Sequence, residues 1–547
     1  MKFVLICEFP ILCFPEFKKT LRVAVRAQRV RQREKPQSWQ QNMASATTTE
    51  MVQLTALDAS LPTVCEEVTV DTTKLPVSST VIPSGIDSLE ECAREQIQRI
   101  LDKEESNDEL TEEEEDALDD GFVLCDLNIV EQKMRAWRRM FPRVKPFFAL
   151  KCNPDVMVAA GERKGHRACH QDTQPTNAIA VLGQFQQEAG FDCASLSEIR
   201  LALQSTDNNP TRCIYANPQK AEADLDAALE VGVSCVTFDG AEELHKIRNA
   251  HRKQCGAQEK QPQPPQIVLR ILVPDDHSSV PLGEKFGAPP SQIEPLAKLA
   301  RKLELPIVGV SFHCGSGCHD PEAYGNAVKL AKDAMEIIDQ VQQDRGIRCT
   351  LMDMGGGYPG RDGSGGDTCR FSSRMEAVEA AADDTTEEEN EETAAKIAKV
   401  VVPLLDQLFP ADVQVISEPG RYFVEAAFAL CSRIYSLRVD KDENGTETRH
   451  YFIAQGVEGV FKDVILCGEE FVPLPLRMAS MAKERDEVVD SVVHGPSGEG
   501  YDVVCKHKLP KLSVGDWLIW DRMGAYTLSI AARSGMLPIR YVVGGRG

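Results

Sequence analysis

From residue 147 to residue 417 the sequence alternates short apolar runs with stretches of helical periodicity. Most neighbouring runs are separated by a helical pattern such as Leu196–Leu203 or Ala221–Val231. Eight strands that alternate with helices are the count of a closed parallel barrel. We therefore predict an α/β fold with a (β/α)8 TIM-type barrel over residues 146–424. The eight runs are Phe147–Lys151, Phe191–Cys193, Cys213–Ala216, Cys235–Phe238, Ile267–Leu272, Ile307–His313, Cys349–Met354 and Val413–Ser417.

The segments around the barrel have different patterns. Residues 425–547 contain strand-like runs without helices between them, which predicts an antiparallel β domain, a sandwich or a barrel. Residues 121–145 predict a first strand and a helix that lead into the barrel. Residues 1–120 end in an acidic run and predict a disordered extension, in which residues 1–42 are a genuine segment, a targeting segment or the result of a misassigned start. Insertions at 161–177 and 362–392 are expected to be surface loops.

The composition argues against several partners. The chain of 547 residues has a formal net charge of −23 and a pI near 5.0, so we expect neither nucleic acid nor an anionic membrane as partner. No apolar run reaches the roughly 18 residues of a membrane span. The 18 cysteines are scattered singly, without the spacing of a zinc site or a disulfide scaffold. We therefore expect reduced thiols, no metal and a cytoplasmic protein.

Polar residues recur where the predicted strands end, and parallel barrels carry their reactive groups there. Lys151 ends the first run, and a lysine beside a buried strand is a candidate amine nucleophile for a Schiff base. Taken alone, Lys151 could equally extend from the strand end to solvent. The same position in later runs holds a polar group or glycine in Asp192, Asn217, Arg270, His313, Gly355–Gly357 and Glu418 with Arg421.

A phosphate site is predicted near the last two strands. The run Gly355–Gly357 lets backbone N–H groups approach an anion closely, although a triple glycine can also be only a turn. Arg421 supplies a bidentate partner for phosphate. A phosphate-bearing cofactor beside a Schiff-base lysine indicates pyridoxal phosphate.

Eight motifs, in order along the chain, resemble eukaryotic ornithine decarboxylase, a member of the Orn/Lys/Arg decarboxylases with an alanine-racemase-like barrel. The resemblance covers about residues 121–543. The motifs are Pro146-Phe-Phe-Ala-Leu-Lys-Cys-Asn153, Gly190-Phe-Asp-Cys-Ala-Ser-Leu-Ser-Glu198, Tyr215-Ala-Asn-Pro218, Lys285-Phe-Gly287, Ser311-Phe-His-Cys-Gly-Ser-Gly-Cys318, Asp353-Met-Gly-Gly-Gly-Tyr-Pro-Gly360, Ser417-Glu-Pro-Gly-Arg421 and Met523-Gly-Ala-Tyr526.

The resemblance implies a pyridoxal phosphate enzyme that acts as a head-to-tail homodimer with shared active sites. Lys151 would then bind the cofactor covalently, His313 would stack on its ring, and Glu418 would pair with the ring nitrogen. The phosphate would be held by Ser316, Gly355, Gly356, Gly357, Arg421 and Tyr526. The supporting polar network would consist of Asp192, Glu198 and Arg270. For the dimer, the resemblance implies contacts at Lys285, Asp502 and Gly524.

The substrate side departs from the family. Where the family has Trp-Gly-Pro-Ser/Thr-Cys-Asp, this chain reads His494-Gly-Pro-Ser-Gly-Glu499, and Gly498 has no proton to give in place of the catalytic cysteine. Where the family has an aspartate for the distal amine, this chain has Gly468. The candidate substrate residues are Glu458, Glu469 and Glu499. They could line an acidic pocket for a basic amine, or could reflect drift in an abandoned site.

Three functions follow from these observations. The first is decarboxylation of L-ornithine to putrescine and CO2, in polyamine biosynthesis, with an altered substrate side. The second is a pyridoxal phosphate enzyme that acts on another basic amino acid. The third is a catalytically impaired regulator that resembles antizyme inhibitor. Residues 221–230 are acidic where the family's antizyme-binding region is more basic, which argues against antizyme as a partner.

Overall fold

The computed structural model describes residues 89–106, 110–155, 189–206, 208–257, 262–360, 393–476, 487–531, 537 and 539–542. Both predicted insertions, at 161–177 and 362–392, lie outside these residues, as does the N-terminal segment 1–88. Within the described part of the chain, no helix has the length and apolar character needed to cross a membrane.

The strands, in chain order, are β1 (Phe122–Asp126), β2 (Val144–Ala149), β3 (Gly190–Cys193), β4 (Cys213–Tyr215), β5 (Cys235–Phe238), β6 (Gln266–Arg270), β7 (Ser278–Val280), β8 (Ile307–Ser311), β9 (Ser316–Cys318), β10 (Leu351–Asp353), β11 (Gln414–Ser417), β12 (Phe428–Arg433), β13 (Ser436–Lys441), β14 (Glu447–Phe452), β15 (Leu474–Leu476), β16 (Val488–His494), β17 (Val503–Pro510), β18 (Trp517–Trp520) and β19 (Ile539–Val542).

The α-helices are α1 (Leu89–Ser106), α2 (Glu112–Asp119), α3 (Leu127–Met140), α4 (Leu196–Ser205), α5 (Glu222–Glu230), α6 (Ala241–Ala257), α7 (Pro290–Lys302), α8 (Pro321–Gln342), α9 (Thr393–Leu408), α10 (Arg421–Val424) and α11 (Asp463–Leu466).

Eight parallel strands close into the predicted barrel, in the order β10-β11-β2-β3-β4-β5-β6-β8. Each of the eight apolar runs contributes one strand, so the predicted fold class is confirmed. The strand residues are largely buried because helices cover the outside of the barrel and side chains fill its inside. All eight carboxyl ends therefore meet at one rim.

The β domain has two sheets, with strand orders β15-β18-β12-β1-β19 and β13-β14-β16-β17. Most pairs are antiparallel as predicted, but β1 pairs with β19 and β14 with β16 in parallel. β1 therefore belongs to the β domain, although it precedes the barrel in the chain. The chain starts a sheet, builds the barrel, and then returns to finish the sheet.

The prediction that residues 1–120 are a disordered extension is wrong for residues 89–106 and 112–119, which form α1 and α2. Side chains spaced along one face of α1, including Ala93, Ile97 and Ile100, are buried with Phe122 and Trp517 of the β domain. Because this buried stripe is narrow and partly made of small residues, the apolar periodicity of the sequence gives only a weak signal for the helix.

The acidic run predicted to be solvated instead begins α2. Thr111 caps the helix, with the Glu114 backbone N–H donating to the Thr111 hydroxyl and the Thr111 N–H donating to the Glu114 carboxylate. Lys103 Nζ lies 2.7 Å from Glu114 Oε1 and ties α1 to α2. Acidic side chains are favourable at a helix N-terminus because the helix dipole is positive there.

An aromatic cluster around Trp137 joins α3 to the barrel rim. The Trp137 ring lies 5.0 Å from Tyr358, which follows the glycine run, and 5.4 Å from Tyr422, which follows Arg421. The Trp137 indole N–H donates to the carbonyl of Val144, at the start of β2. One buried side chain therefore fixes the segments that carry three of the predicted site groups.

We predict that Glu114→Gln destabilises α2 at neutral pH, and that the difference from the natural chain disappears in acid, where Glu114 is protonated. Burial opposes ionisation of this carboxyl, but hydrogen bonds from Lys103 and Thr111 lower the pKa of Glu114 from its ordinary 4.5. A lowered folded-state pKa stabilises the fold above pH 4.5, and this contribution is lost as pH falls through the folded pKa. Hydrogen exchange in the full chain should show faster exchange of residues 112–119, by about 5- to 30-fold for about 1–2 kcal/mol. Glu104→Gln, which removes an exposed carboxylate from α1, is the control, and an equal effect of both variants would contradict the prediction.

Candidate active site

Lys151 lies just beyond β2, and its Nζ forms an ion pair with Asp192 Oδ2 on the neighbouring strand β3. The Asp192 side chain is fully buried, whereas that of Lys151 remains 37% exposed. Desolvation disfavours the charged amine, but Asp192, Tyr526 and Glu418 raise the pKa of Lys151 above its ordinary value. The amine is therefore protonated here, and it must pass its proton on before it can act as a nucleophile.

A pair of acidic side chains lies at the ends of β10 and β11. Burial raises the pKa values of both Asp353 and Glu418, and the two carboxyl groups are within hydrogen-bonding reach of each other. Asp353 also accepts a hydrogen bond of 2.9 Å from the Gly355 N–H. The pair can thus share one proton and present one negative charge at the rim.

Arg270, at the end of β6, lies among these acids. Its guanidinium carbon is 4.9 Å from the centre of the Phe286 ring. Burial lowers the pKa of Arg270, while Glu418, Asp239 and Asp192 oppose that shift. Because the guanidinium is placed between carboxylates and an aromatic face, it is fixed in orientation and balances part of the acidic charge.

His313 is held as a neutral ring beside the glycine run. Its Nδ1 accepts a hydrogen bond of 2.9 Å from the Gly315 N–H, so the proton of the neutral ring is on Nε2. Burial, followed by the charges of Arg270 and Lys151, keeps the pKa of His313 far below its ordinary range. A neutral, fixed imidazole can stack on a flat cofactor ring.

The glycine run leaves no room for side chains. A Cβ at Gly355, whose φ is +59°, would lie 2.0 Å from the Phe312 carbonyl oxygen. A Cβ at Gly356 would lie 2.9 Å from Nε2 of His313. The Ser417 hydroxyl donates to the Gly355 carbonyl at 2.7 Å, and this hydrogen bond holds the glycine run against the end of β11. This segment therefore offers a ligand only backbone groups, and of these the Gly355 N–H already donates to Asp353.

Arg421 and Tyr526 meet on the other side of Lys151. The Arg421 guanidinium carbon lies 5.5 Å from the centre of the Tyr526 ring. The Tyr526 N–H donates to the carbonyl of Cys152 at 3.0 Å, which brings this segment of the β domain beside Lys151. Tyr526 has a φ of +55°, an uncommon conformation for a residue with a side chain.

Ser316 and Glu198 occupy supporting positions. Ser316 is half-buried in β9, which pairs with β7 next to the barrel rim. Glu198 accepts hydrogen bonds from the Ala194 N–H at 2.8 Å and from the Ser195 hydroxyl at 2.9 Å. The carboxylate of Glu198 thus fixes the turn that follows Asp192.

The three substrate candidates make separate contacts within one chain. The Tyr501 hydroxyl donates to the Glu458 carboxylate, and Glu499 is exposed on the loop that follows Gly498. Glu469 Oε1 lies 2.8 Å from Arg522 Nη1, so its charge is already paired. Among the contacts of the described residues, none joins these glutamates to Lys151.

The residues predicted to contact a second subunit also have contacts within the chain. Asp502 is buried and accepts hydrogen bonds of 2.9 Å from the N–H groups of Val457 and Ser497. A Cβ at Gly524 would lie 1.7 Å from the Val424 carbonyl oxygen, so a side chain is excluded there by the chain's own backbone. Lys285 is exposed, with its Nζ 5.0 Å from the centre of the Phe286 ring.

Four charged residues at the rim were missed by sequence reasoning. Asp353 could have been found, because it ends a predicted strand immediately before the glycine run. The other three, Glu425, Asp463 and Arg522, lie outside the matched motifs, and the sequence does not show that they come together. Two of them lie next to Arg421: Glu425 Oε1 is 3.5 Å and Asp463 Oδ2 is 4.0 Å from its guanidinium nitrogens.

The fold and the rim define a class of protein: barrel enzymes that hold pyridoxal phosphate. The residues fit this cofactor, because a lysine amine, a neutral imidazole, a buried acidic pair and a side-chain-free glycine run occur together. A protonated ring nitrogen matches the single negative charge of the Asp353 and Glu418 pair. The phosphate matches the backbone N–H groups and Arg421.

Comparison with known proteins agrees with this class. The pyridoxal binding domain of pyridoxal-dependent decarboxylases matches residues 168–425. Antizyme inhibitor 2 of Xenopus laevis is 33% identical over 423 residues, covering 76% of this chain and 78% of that protein. Ornithine decarboxylase of Rattus norvegicus is 32% identical over 425 residues, covering 76% of this chain and 78% of that protein.

Solved structures show the same relationship. The crystal structure of the arginine decarboxylase of Paramecium bursaria Chlorella virus has a TM-score of 0.60 and 28% identity, covering 77% of this chain and 95% of that one. The chain belongs to the ornithine decarboxylase family of pyridoxal-dependent decarboxylases. The predicted family and cofactor are thereby confirmed, and the relatives include both decarboxylases and an antizyme inhibitor.

We predict that Gly356→Ala weakens cofactor binding. The added Cβ would lie 2.7 Å from the Glu418 carbonyl oxygen as well as against His313, and the backbone atom cannot move away cheaply. Overpacking costs about 1–3 kcal/mol, which corresponds to about a 5- to 150-fold loss of affinity for pyridoxal phosphate. Titration followed by absorbance measures this. Gly256→Ala is the control, because a Cβ there meets nothing within 4 Å. Unchanged affinity in Gly356→Ala would contradict the assigned geometry.

Proposed function

We propose that the chain decarboxylates a basic amino acid, with L-ornithine as the first candidate, and that its turnover is slow. The observation that supports this most is the complete set of cofactor groups around Lys151 and its Asp192 ion pair. The family and its cofactor support the reaction class. The altered substrate side, at Gly498 and Gly468, supports the low rate.

Bound pyridoxal phosphate supplies an electron sink for the electron pair left on the alpha carbon when CO2 departs. Lys151 binds the cofactor in our proposal, and Asp192, its ion-pair partner, is placed to take the amine proton. Asp353 and Glu418 would keep a negative charge near the ring nitrogen of the cofactor, which would favour its protonated form. His313 would lie against the cofactor ring and exclude water there.

Reprotonation of the alpha carbon is the step for which this chain lacks a dedicated group. Gly498 offers no acid, and positioned general acids contribute about 10²- to 10⁴-fold. Lys151 or water must therefore supply the proton. For the distal amine of the substrate, we propose Glu458 and Glu499 in preference to Glu469, because Arg522 already pairs with Glu469.

We predict that Gly498→Cys raises amine release by about 10²- to 10⁴-fold, because it places a proton donor at that position. A Cβ at Gly498 meets nothing within 4 Å, so the side chain fits without displacing its neighbours. The assay uses the full chain with pyridoxal phosphate and L-ornithine, L-lysine or L-arginine, and detects amine release by mass spectrometry. Lys151→Ala in each background is the control and should release none. If cofactor binds but neither the natural chain nor Gly498→Cys releases an amine, the decarboxylase proposal fails.

A regulator is the second candidate function. The similarity to an antizyme inhibitor supports it, as does the missing acid at Gly498. Residues 222–230, in α5, carry Glu222, Asp224 and Asp226, so the surface that would meet antizyme is acidic. An inactive chain that still captures antizyme would favour this function over the first.

We further propose a homodimer in the cytoplasm. The family resemblance implies a dimer contact at Lys285, and the Lys285 side chain is exposed and so accessible to a second chain. None of the 13 described cysteines forms a disulfide with another, which is compatible with the reducing compartment that we propose. Sedimentation velocity should show a species of twice the chain mass, and a single-chain species at micromolar concentration would contradict the dimer.

A further inference from the structure

A buried carboxylate stands between Arg421 and the glycine loop. The Glu425 side chain is on the same helical segment as Arg421, and the residue is only 7% exposed. Its Oε1 lies 3.5 Å from Arg421 Nη1. Its Oε2 accepts a hydrogen bond of 3.0 Å from the N–H of Gly360, three residues after the glycine run. Glu425 therefore touches both parts of the site assigned to the cofactor phosphate.

The charges around Glu425 leave Arg421 already neutralised. From α11, Asp463 also approaches Arg421, at 4.0 Å. From the segment before Tyr526, Arg522 faces Glu425 and pairs with Glu469 at 2.8 Å and Asp521 at 3.5 Å. Two arginines thus face four carboxyl groups. A dianionic phosphate that approaches Arg421 enters an environment with excess negative charge.

We propose that Glu425 sets the affinity for pyridoxal phosphate: its carboxylate occupies Arg421 and opposes the cofactor phosphate, so that binding is accompanied by uptake of one proton from solvent. This inference rests on the proposed assignment of Arg421 to the phosphate. The proton goes to Glu425, after which the neutral carboxyl still accepts from Gly360 while Arg421 turns its charge to the phosphate. The O–H bond to that proton is the one bond formed at Glu425.

The surroundings of Glu425 support proton uptake. Burial raises the pKa of Glu425; Arg421 and Arg522 oppose the shift, and Glu469 adds to it. Cys152 is the remaining titratable neighbour, and burial raises the pKa of its thiol to about 12, so it stays neutral. Because its pKa is raised, the carboxyl of Glu425 stays neutral up to a higher pH than that of an ordinary glutamate. The penalty on phosphate binding is therefore absent below that pKa and grows as pH rises through it.

The test compares Glu425→Gln with the natural chain in the full-length protein freed of cofactor. Glutamine keeps an acceptor for Gly360 but removes the charge. Two probes are titrated: pyridoxal phosphate, and pyridoxal, which lacks the phosphate. Removing a like charge at this range in a partly buried site should raise affinity for pyridoxal phosphate by about tenfold and leave pyridoxal unchanged. Glu447→Gln is the matched control, because Glu447 pairs with Arg449 at 2.5 Å in the β domain.

Unchanged or weaker binding of pyridoxal phosphate by Glu425→Gln would overturn the inference, because Glu425 would then have no effect on phosphate binding or would help to position Arg421. Arg421→Gln tests the underlying assignment separately. If Arg421→Gln does not lower affinity for pyridoxal phosphate relative to pyridoxal, the phosphate assignment itself fails.

A second measurement needs no variant and so does not depend on the variant's folding. Calorimetric titration of the natural chain in buffers of different ionisation enthalpy counts the protons taken up. At about pH 7.5 the cofactor phosphate is already mostly ionised, since its second pKa is about 6. Proton uptake with pyridoxal phosphate beyond that with pyridoxal supports the inference, and equal uptake overturns it.

Discussion

Closure of the parallel barrel is the constraint on which the rest of the structure depends. Because every strand runs the same way around a closed sheet, all eight carboxyl ends meet at one rim. Charged residues at those ends are brought together whether or not they attract each other. Lys151 and Asp192 neutralise one another there, and Asp353 and Glu418 share a site that two ionised carboxylates could not occupy. The chemistry of the rim follows from this crowding.

The barrel and most of its rim could be predicted because both depend on local pattern. A short apolar run that ends in Lys151 or Glu418 indicates both a strand and a residue at its end. The helix α1 could not be predicted in this way. Its buried side chains, among them Ile97 and Ile100, are stabilised by packing with Phe122 and Trp517, and no local pattern reveals Trp517, which lies more than 400 residues away in the chain.

The charged residues around Arg421 could not be predicted from the sequence, for a related reason. Resemblance transfers a role only to positions inside a matching motif, and Glu425 lies just outside the one that ends at Arg421. Arg522 and Glu469 are 53 residues apart, and only the folded β domain brings them together. Motif reasoning therefore predicted groups for the cofactor, but it did not reveal the charged neighbours of Arg421.

The position of β1 makes the folding of the two parts interdependent. β1 pairs with β12 on one side and with β19 on the other, so the sheet that begins at Phe122 is completed only by Val542. During synthesis on the ribosome, the barrel strands emerge while both edges of β1 still lack their partners, and the edge that pairs with β19 stays unpaired until the last strand is made. An unpaired edge strand is a site for pairing with the wrong chain. β19 therefore completes this sheet only at the end of synthesis, more than 400 residues after its first strand was made.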